Sequence, residues 1–286
     1  MISAQNISKS YQNKKILNQI SFELDYGDLV GLVGPNGVGK TTLLSAMMGL
    51  LPVDDGQIIM ADTSFKDTDM YRKVGFMQDN SVLYPYLTGY DHLAYVAYAQ
   101  NIKETEIERV AKKVGNYDYL HNKVGQYSLG MKQHLLFACA ILHQPKVLLL
   151  DEPFNGLDPT SLIRIRDLIV ELSDQKTTVI LSSHNLDEID RMTRNIFFLK
   201  DGQITYRNLA KYKLYSYLVT VSKLPTNDLL SQLSVEKKID KQLLVSKEQL
   251  NQLISELNRQ AIDILDIERT QFGSENLYRE IYHQAQ

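Results

Sequence analysis

Gly34-Pro35-Asn36-Gly37-Val38-Gly39-Lys40-Thr41-Thr42 satisfies the pattern G-x-x-x-x-G-K-[ST] at every defined position. Such a pattern carries meaning only in the right setting, between a strand and a helix. Leu29-Val30-Gly31-Leu32-Val33 leads in and reads as a buried strand of a parallel sheet. Thr41 to Met48 leads out and reads as a helix. Strand, glycine-rich loop and helix together aim backbone N–H groups and a helix N-terminus at phosphate oxygens. Gly34, Gly37 and Gly39 let the loop curl around a polyphosphate where a Cβ would obstruct it. Lys40 brings a point charge to the β/γ-phosphates, and the Thr41 hydroxyl is a ligand for Mg²⁺. Asn36 and Thr42 complete the loop residues expected to touch the ligand. The loop predicts a nucleoside triphosphate.

The rest of the composition sets bounds. At 286 residues the chain holds one large domain, or one large and one small. Its hydrophobic share of 44% is that of an ordinary globular protein. A net charge of −3 gives no electrostatic case for nucleic acid as the main partner. The single cysteine, Cys139, excludes an intramolecular disulfide and lies in an apolar run that predicts core packing. No run approaches the ~20 apolar residues that span a bilayer, and the N-terminus lacks a basic-then-apolar pattern. Taken alone, the chain is expected to be soluble and cytoplasmic.

Outward from the loop, residues 1–27 predict antiparallel strands with a first turn at Gln12-Asn13-Lys14. A turn from Pro52 to Gly56 and strands through Met60 and Phe76 follow. From about Pro85 to Gln144 the apolar period becomes helical, with Ile107, Val110 and Val114 on one face of a helix. Val147 to Leu150 and Thr177 to Ser183 return to buried strands around a helix from Thr160 to Ser173. Asp201-Gly202 marks a hairpin turn. This alternation implies an α/β domain with a parallel sheet, a helical insert and an antiparallel layer.

The strand Val147-Leu148-Leu149-Leu150 ends in Asp151-Glu152. In folds of this class its C-terminal end is expected beside the phosphate loop. Asp151 is placed to hold Mg²⁺ through its water shell. Glu152, turned elsewhere by strand alternation, is placed to polarise a water for attack on the γ-phosphate.

The order of further motifs makes residues 1–205 resemble the ATP-binding-cassette (ABC) ATPases. The resemblance implies an α/β, P-loop NTPase cassette: a RecA-like core with an antiparallel β layer and a helical insert at about 85–145. ATP and Mg²⁺ come with it. Tyr11 matches the aromatic residue that stacks on adenine. Gln78 matches the glutamine that senses Mg²⁺ and the transmembrane partner, and His184 the switch histidine at the γ-phosphate. Tyr127-Ser128-Leu129-Gly130-Met131-Lys132-Gln133 matches the family signature, and Gly156-Leu157-Asp158 the loop that communicates across the dimer. Catalysis is thereby assigned to Glu152, His184 and Gln78, and the metal to Thr41, Gln78 and Asp151. Leu129 and Met131 replace the signature's usual glycine and glutamine, and His134 stands where an arginine is common. Ser128 and Gly130, which make the γ-phosphate contacts in the family, are kept. The wording S-L-G-M-K-Q resembles the bacitracin-resistance and lantibiotic-immunity exporters.

The resemblance also implies two chains. Ser128 and the phosphate loop of one chain are far apart in this fold yet serve one γ-phosphate, so two ATP molecules are shared head to tail. A homodimer or a paired cassette subunit is expected. The further partner is a separate integral-membrane transporter subunit, docked at Asp79 to Gly89, which holds the chain at the cytoplasmic face of the membrane; nucleic acid is not expected. A soluble ABC ATPase of the assembly or remodelling type is the competing reading.

Residues 206–286 predict a small α/β extension. Tyr217–Val221, Gln242–Val245 and Ile262–Ile267 read as strands, Thr226–Leu233 and Ser274–His283 as helices. A helix from Ser246 to about Asn258 has Leu250, Leu253, Ile254 and Leu257 on its inner face, and Ser246 with Gln249 as a capping box. The extension is expected to contribute no atom to ATP.

Overall fold

A computed structural model describes the chain except at residues 13, 65–66, 212–214, 234, 238–240, 272 and 284–286. The chain divides into two units, Met1–Arg207 and Asn208–Gln286. That division and the boundary expected at 205/206 both lie within the strand Gln203–Asn208.

In the first unit the chain runs β1 (Ile2–Tyr11), β2 (Lys14–Leu24), β3 (Leu29–Val33), α1 (Lys40–Met47), β4 (Asp55–Met60), β5 (Thr63–Ser64), α2 (Met70–Lys73) and β6 (Val74–Met77). It continues through α3 (Gly89–Gln100), α4 (Thr105–Val114), α5 (Leu129–Ile141), β7 (Val147–Asp151), α6 (Pro159–Asp174), β8 (Thr178–Ser182), α7 (Leu186–Met192), β9 (Asn195–Lys200) and β10 (Gln203–Asn208). Of the first expected turn, Asn13 lies outside the described residues.

Two sheets form from these strands. The antiparallel layer has the order β2-β1-β4-β5, and the second sheet the order β10-β9-β3-β8-β7-β6. In the second, β3 pairs in parallel with β8 and β9, and β7 with β6 and β8. Every residue of β3 and β8 is buried, which is why these strands read as unbroken apolar runs and not as alternation. Asp201 and Gly202 both take left-handed φ, 50° and 76°, the geometry of a tight hairpin between β9 and β10. Leu43, Leu44 and Met47 of α1 share one core with Ile2, Ile7 and Ile20 of the antiparallel layer and Leu32, Leu149 and Ile180 of the parallel sheet. The helix that follows the phosphate loop is thus packed into the centre of the unit.

Helices α3, α4 and α5 form the insert. Thr88 and Asp91 close a reciprocal cap at the start of α3. Ile107, Val110, Ala111 and Val114 make the buried stripe of α4. Cys139 on α5 is partly buried, and desolvation pushes its thiol up to about 12.

The second unit runs β11 (Tyr215–Val221), α8 (Asn227–Gln232), β12 (Glu236–Lys237), β13 (Gln242–Ser246), α9 (Lys247–Arg259), β14 (Ile264–Gln271) and α10 (Ser274–His283). Its antiparallel sheet has the order β12-β13-β11-β14. Strand, helix, two strands, helix and strand with this order make a split β-α-β unit. Val219, Val221, Leu243 and Val245 pack on Leu229, Leu230, Leu253 and Leu257. The expected capping box at α9 is absent. The Ser246 hydroxyl donates to the Gln249 side chain at 2.8 Å, and no bond from the helix backbone to that hydroxyl forms. Among the described residues no helix is long and apolar enough to cross a membrane.

Candidate nucleotide site

The sheet order sets the site. The phosphate loop leaves the C-terminal end of β3, and Asp151-Glu152 leaves the same end of β7, but β8 lies between them. Ser182, the last residue of β8, fills the interval. Its hydroxyl donates to Asp151 Oδ1 at 2.5 Å and accepts from the Glu152 N–H at 2.9 Å. The other Asp151 oxygen accepts from Thr41 Oγ1 at 2.6 Å. One carboxylate is thereby held between the first turn of α1 and the end of β8.

Gly37 and Gly39 take φ of 77° and 115°, so the loop needs glycine there. Gly34 does not need one for its conformation. Its carbonyl accepts from Lys40 Nζ at 2.7 Å, and Pro35 adds a second acceptor at 3.3 Å. Lys40 is 7% exposed and sits 3.9 Å from Glu152. Burial lowers its pKa, and the nearby Glu152 and Asp151 charges oppose that shift.

Strand alternation does not aim Glu152. Its φ is 50°, so the backbone turns left-handed just after β7 and swings the carboxylate out of the strand's register. There Glu152 Oε2 accepts from His184 Nδ1 at 2.8 Å. His184 follows β8, and its side chain is otherwise largely exposed.

A cavity of about 260 Å³ is lined by Tyr11, Asn36, Gly37, Gly39, Lys40, Thr41, Thr42, Asp151 and Glu152, with Ile16 of β2 beside Tyr11. Ile16 was not anticipated; the apolar alternation of β2 was its only trace in the sequence. Gln78 is half-buried just beyond β6 and does not line the cavity. Ser128 and Gly130 do not line it either. Ser128 is the N-cap of α5, where its hydroxyl accepts from the Met131 N–H at 3.2 Å.

The departures at Leu129 and His134 acquire partners. Gly156 has φ 73°, and a Cβ there would lie 2.4 Å from Leu129 Cδ2. Leu129 therefore roofs the Gly156-Leu157-Asp158 loop, and the loop's glycine makes room for it. Gly130 is just as confined, since a Cβ would fall 2.8 Å from the Gly156 carbonyl oxygen. His134 is buried with its Nδ1 2.8 Å from the Tyr119 hydroxyl. Burial, with Arg164 nearby, holds its pKa below the ordinary value.

Thr41 and Asp151 offer a hydroxyl and one carboxylate. Among the described residues there is no group of three or more acidic, His or Cys side chains fit to hold a metal. So lean a donor set suits Mg²⁺, which keeps several waters and takes its remaining ligands from phosphates.

A family model described as ABC transporter matches residues 17–155. A lantibiotic transport ATP-binding protein of Streptococcus pyogenes, SrtF, is 35% identical over 204 residues, 71% of this chain and 89% of that one. A bacitracin transport ATP-binding protein of Enterococcus faecalis, BcrA, is 35% identical over 208 residues, 71% of this chain and 68% of that one. Among solved structures, an ATP-binding subunit of an ABC transporter superposes with a TM-score of 0.68 at 25% identity, covering 90% of this chain and 99% of that one.

Proposed function

The chain belongs to the ABC transporter ATP-binding family, and on that premise we propose that it is the ATP-hydrolysing motor of an exporter for a peptide antibiotic or related amphiphile. One observation carries the reading. Thr41 bonds to Asp151 at 2.6 Å and His184 to Glu152 at 2.8 Å, and Thr41, Asp151 and Glu152 line the cavity together with Lys40. The lantibiotic and bacitracin transport roles of the two relatives support the cargo class.

In this reading Lys40 exchanges the Gly34 and Pro35 carbonyls for the β- and γ-phosphates of ATP. Tyr11, at the cavity rim, stacks on adenine. Thr41 and Asp151 would hold Mg²⁺, which would supply charge neutralisation on the phosphates; Gln78, outside the cavity lining, would join them only if its loop moved in. Glu152 takes a proton from the attacking water, and His184 holds the Glu152 carboxylate in place from Nδ1. Ser128 and Gly130 of a second cassette close the site.

The spanning part of the transporter is a separate polypeptide docked at Asp79 to Gly89, which keeps the chain at the cytoplasmic face of the membrane. His92 stiffens that segment: the Tyr84 N–H donates to its Nε2 at 3.0 Å, and its Nδ1 donates to the Thr88 carbonyl at 2.8 Å. Tyr84 and Tyr86 stand exposed beside Pro85, as an interface aromatic pair would. Purification of the tagged chain from detergent-solubilised membranes tests the reading. A polytopic protein that accompanies it, and whose loss abolishes export, is the expected result. An active ATPase that no polytopic protein accompanies overturns the transporter role.

A further inference from the structure

A second cavity, of about 660 Å³, lies at the opposite end of the parallel strands. Lys146 precedes β7 and Thr177 precedes β8, so the cavity opens at the N-terminal ends of the strands whose C-terminal ends carry the nucleotide site. A five-residue strand is roughly 17 Å long. The two cavities are therefore separate, and no residue lines both.

Charge distinguishes this cleft. Arg109 and Lys113 of α4 line one wall; Lys146 and Lys176 line the core side. Glu171 of α6 is the one carboxylate in the lining. It is already engaged: it accepts from Lys113 at 2.8 Å and from Gln175 at 3.0 Å, and the Lys113 bond holds its pKa below the usual carboxylate range. Arg109 shares Glu106, at 2.7 Å. Asp62 feels the charge of Lys146 but accepts from the Tyr26 hydroxyl at 2.6 Å and stands outside the lining. Among the described residues neither Lys146 nor Lys176 forms an ion pair. A concave site of this volume suits a small molecule, and its lining favours one with several negative groups.

The cleft also has a line to the nucleotide. Its lining includes Ile141, the last residue of α5, whose N-cap is Ser128. An α-helix of 13 residues is a rod about 20 Å long. Lys113–Glu171 bridges the insert, through α4, to the core, through α6.

We propose that the cleft between α4 and α6 binds a compact polyanion, phosphorylated or polycarboxylate, and that its binding sets the position of α5 and so of Ser128. The ligand draws Arg109 and Lys113 toward Lys146 and Lys176, and α4 carries α5 with it. The binding half stands on the cleft alone; the coupling half rests on the reading that Ser128 serves a second chain's ATP.

The test uses the full chain, tripolyphosphate and citrate as probes, and calorimetry. Because the phosphate loop also takes tripolyphosphate, Lys40→Ala serves as the background. One saturable site is expected there, weakened about tenfold or more by Lys146→Glu with Lys176→Glu and by added salt. The milder Lys146→Gln, Lys176→Gln pair guards against misfolding and should weaken binding less. Tripolyphosphate binding without citrate identifies a phosphate site, and binding of both a general polyanion site. No heat from either probe, or undiminished binding to the Glu variants, overturns the site. In the wild-type chain at fixed free Mg²⁺, citrate should change ATP turnover, and the Glu variants should remove that response while keeping basal turnover. Binding with unchanged turnover overturns the coupling and leaves the ATPase reading intact.

Discussion

Ser182 donates a hydrogen bond to Asp151, and its oxygen accepts one from the backbone of Glu152. One hydroxyl thus fixes both acidic residues of the site, from a strand that neither belongs to. Ser182→Ala leaves a carboxylate and an N–H short of a partner at once. A hydrogen bond to a charged group is worth about 1.5–3 kcal/mol, and urea denaturation should show a loss of that order. Turnover should fall as well, since Glu152 loses its backbone anchor. Unchanged stability and turnover would remove Ser182 from this role.

Glu152→Gln keeps the shape of the side chain and removes the proton acceptor. ATP binding should survive while turnover drops ~10²–10⁴-fold. Lys40→Ala should fail earlier, at binding, because its charge meets phosphates in the ground state. Nucleotide binding by fluorescence and phosphate release by coupled assay separate the two. A Gln variant with full turnover excludes Glu152 as the base.

Because Ser128 stays off its own chain's cavity, complementation is possible. A Lys40→Ala chain mixed with a Ser128→Arg chain forms one intact shared site per heterodimer. ATP-dependent dimerisation, read by light scattering, should return in the mixture and be absent from either chain alone. No recovery in the mixture sinks the shared-site argument.

His134 gives a pH dependence with a definite sign. Burial puts its folded-state pKa below the ordinary 6.5. Between those two values the unfolded chain binds the extra proton, so stability is whole above about 6.5 and declines as pH falls. His134→Gln can still accept from Tyr119 but does not titrate. Its Tm should therefore fall less steeply between pH 7 and 5 than that of the parent. Some slope should persist, since burial lowers His143 too. Parallel Tm curves would show that His134 is not responsible.

The C-terminal unit is expected to add nothing to nucleotide binding. A chain ended after Asn208, the last residue of β10, should bind ATP with unchanged affinity. A cut at Gln203 to Tyr206 instead removes an edge strand of the parallel sheet, and its failure would say nothing about the extension. Loss of ATP binding in a folded chain that ends at Asn208 overturns this assignment.

The phosphate loop and Asp151 were legible because their chemistry is local: spacing and a flanking apolar run define them. The left-handed turn at Glu152 was not, because no residue type announces φ of 50° at a glutamate. Ser182 was hidden for a different reason. Its importance comes from β8 lying between β3 and β7, an order that apolar runs do not encode. His134 looked anomalous until Tyr119, 15 residues earlier, was seen to face it. In the second unit the short strand β12 went unread, since two residues carry no period.

The order of strands has a consequence on the ribosome. Leu29–Val33 is made early, yet both its neighbours come late, the first of them about 145 residues after Val33. At ordinary elongation rates this apolar strand waits roughly 7–30 s for an edge to pair with. The antiparallel layer is different: β1, β2 and β4 are complete by Met60. Ile2, Ile7 and Ile20 can then receive α1 and shade the waiting strand. The first sixty residues are thus available to cover the waiting strand, and slowed synthesis before residue 178 should raise aggregation.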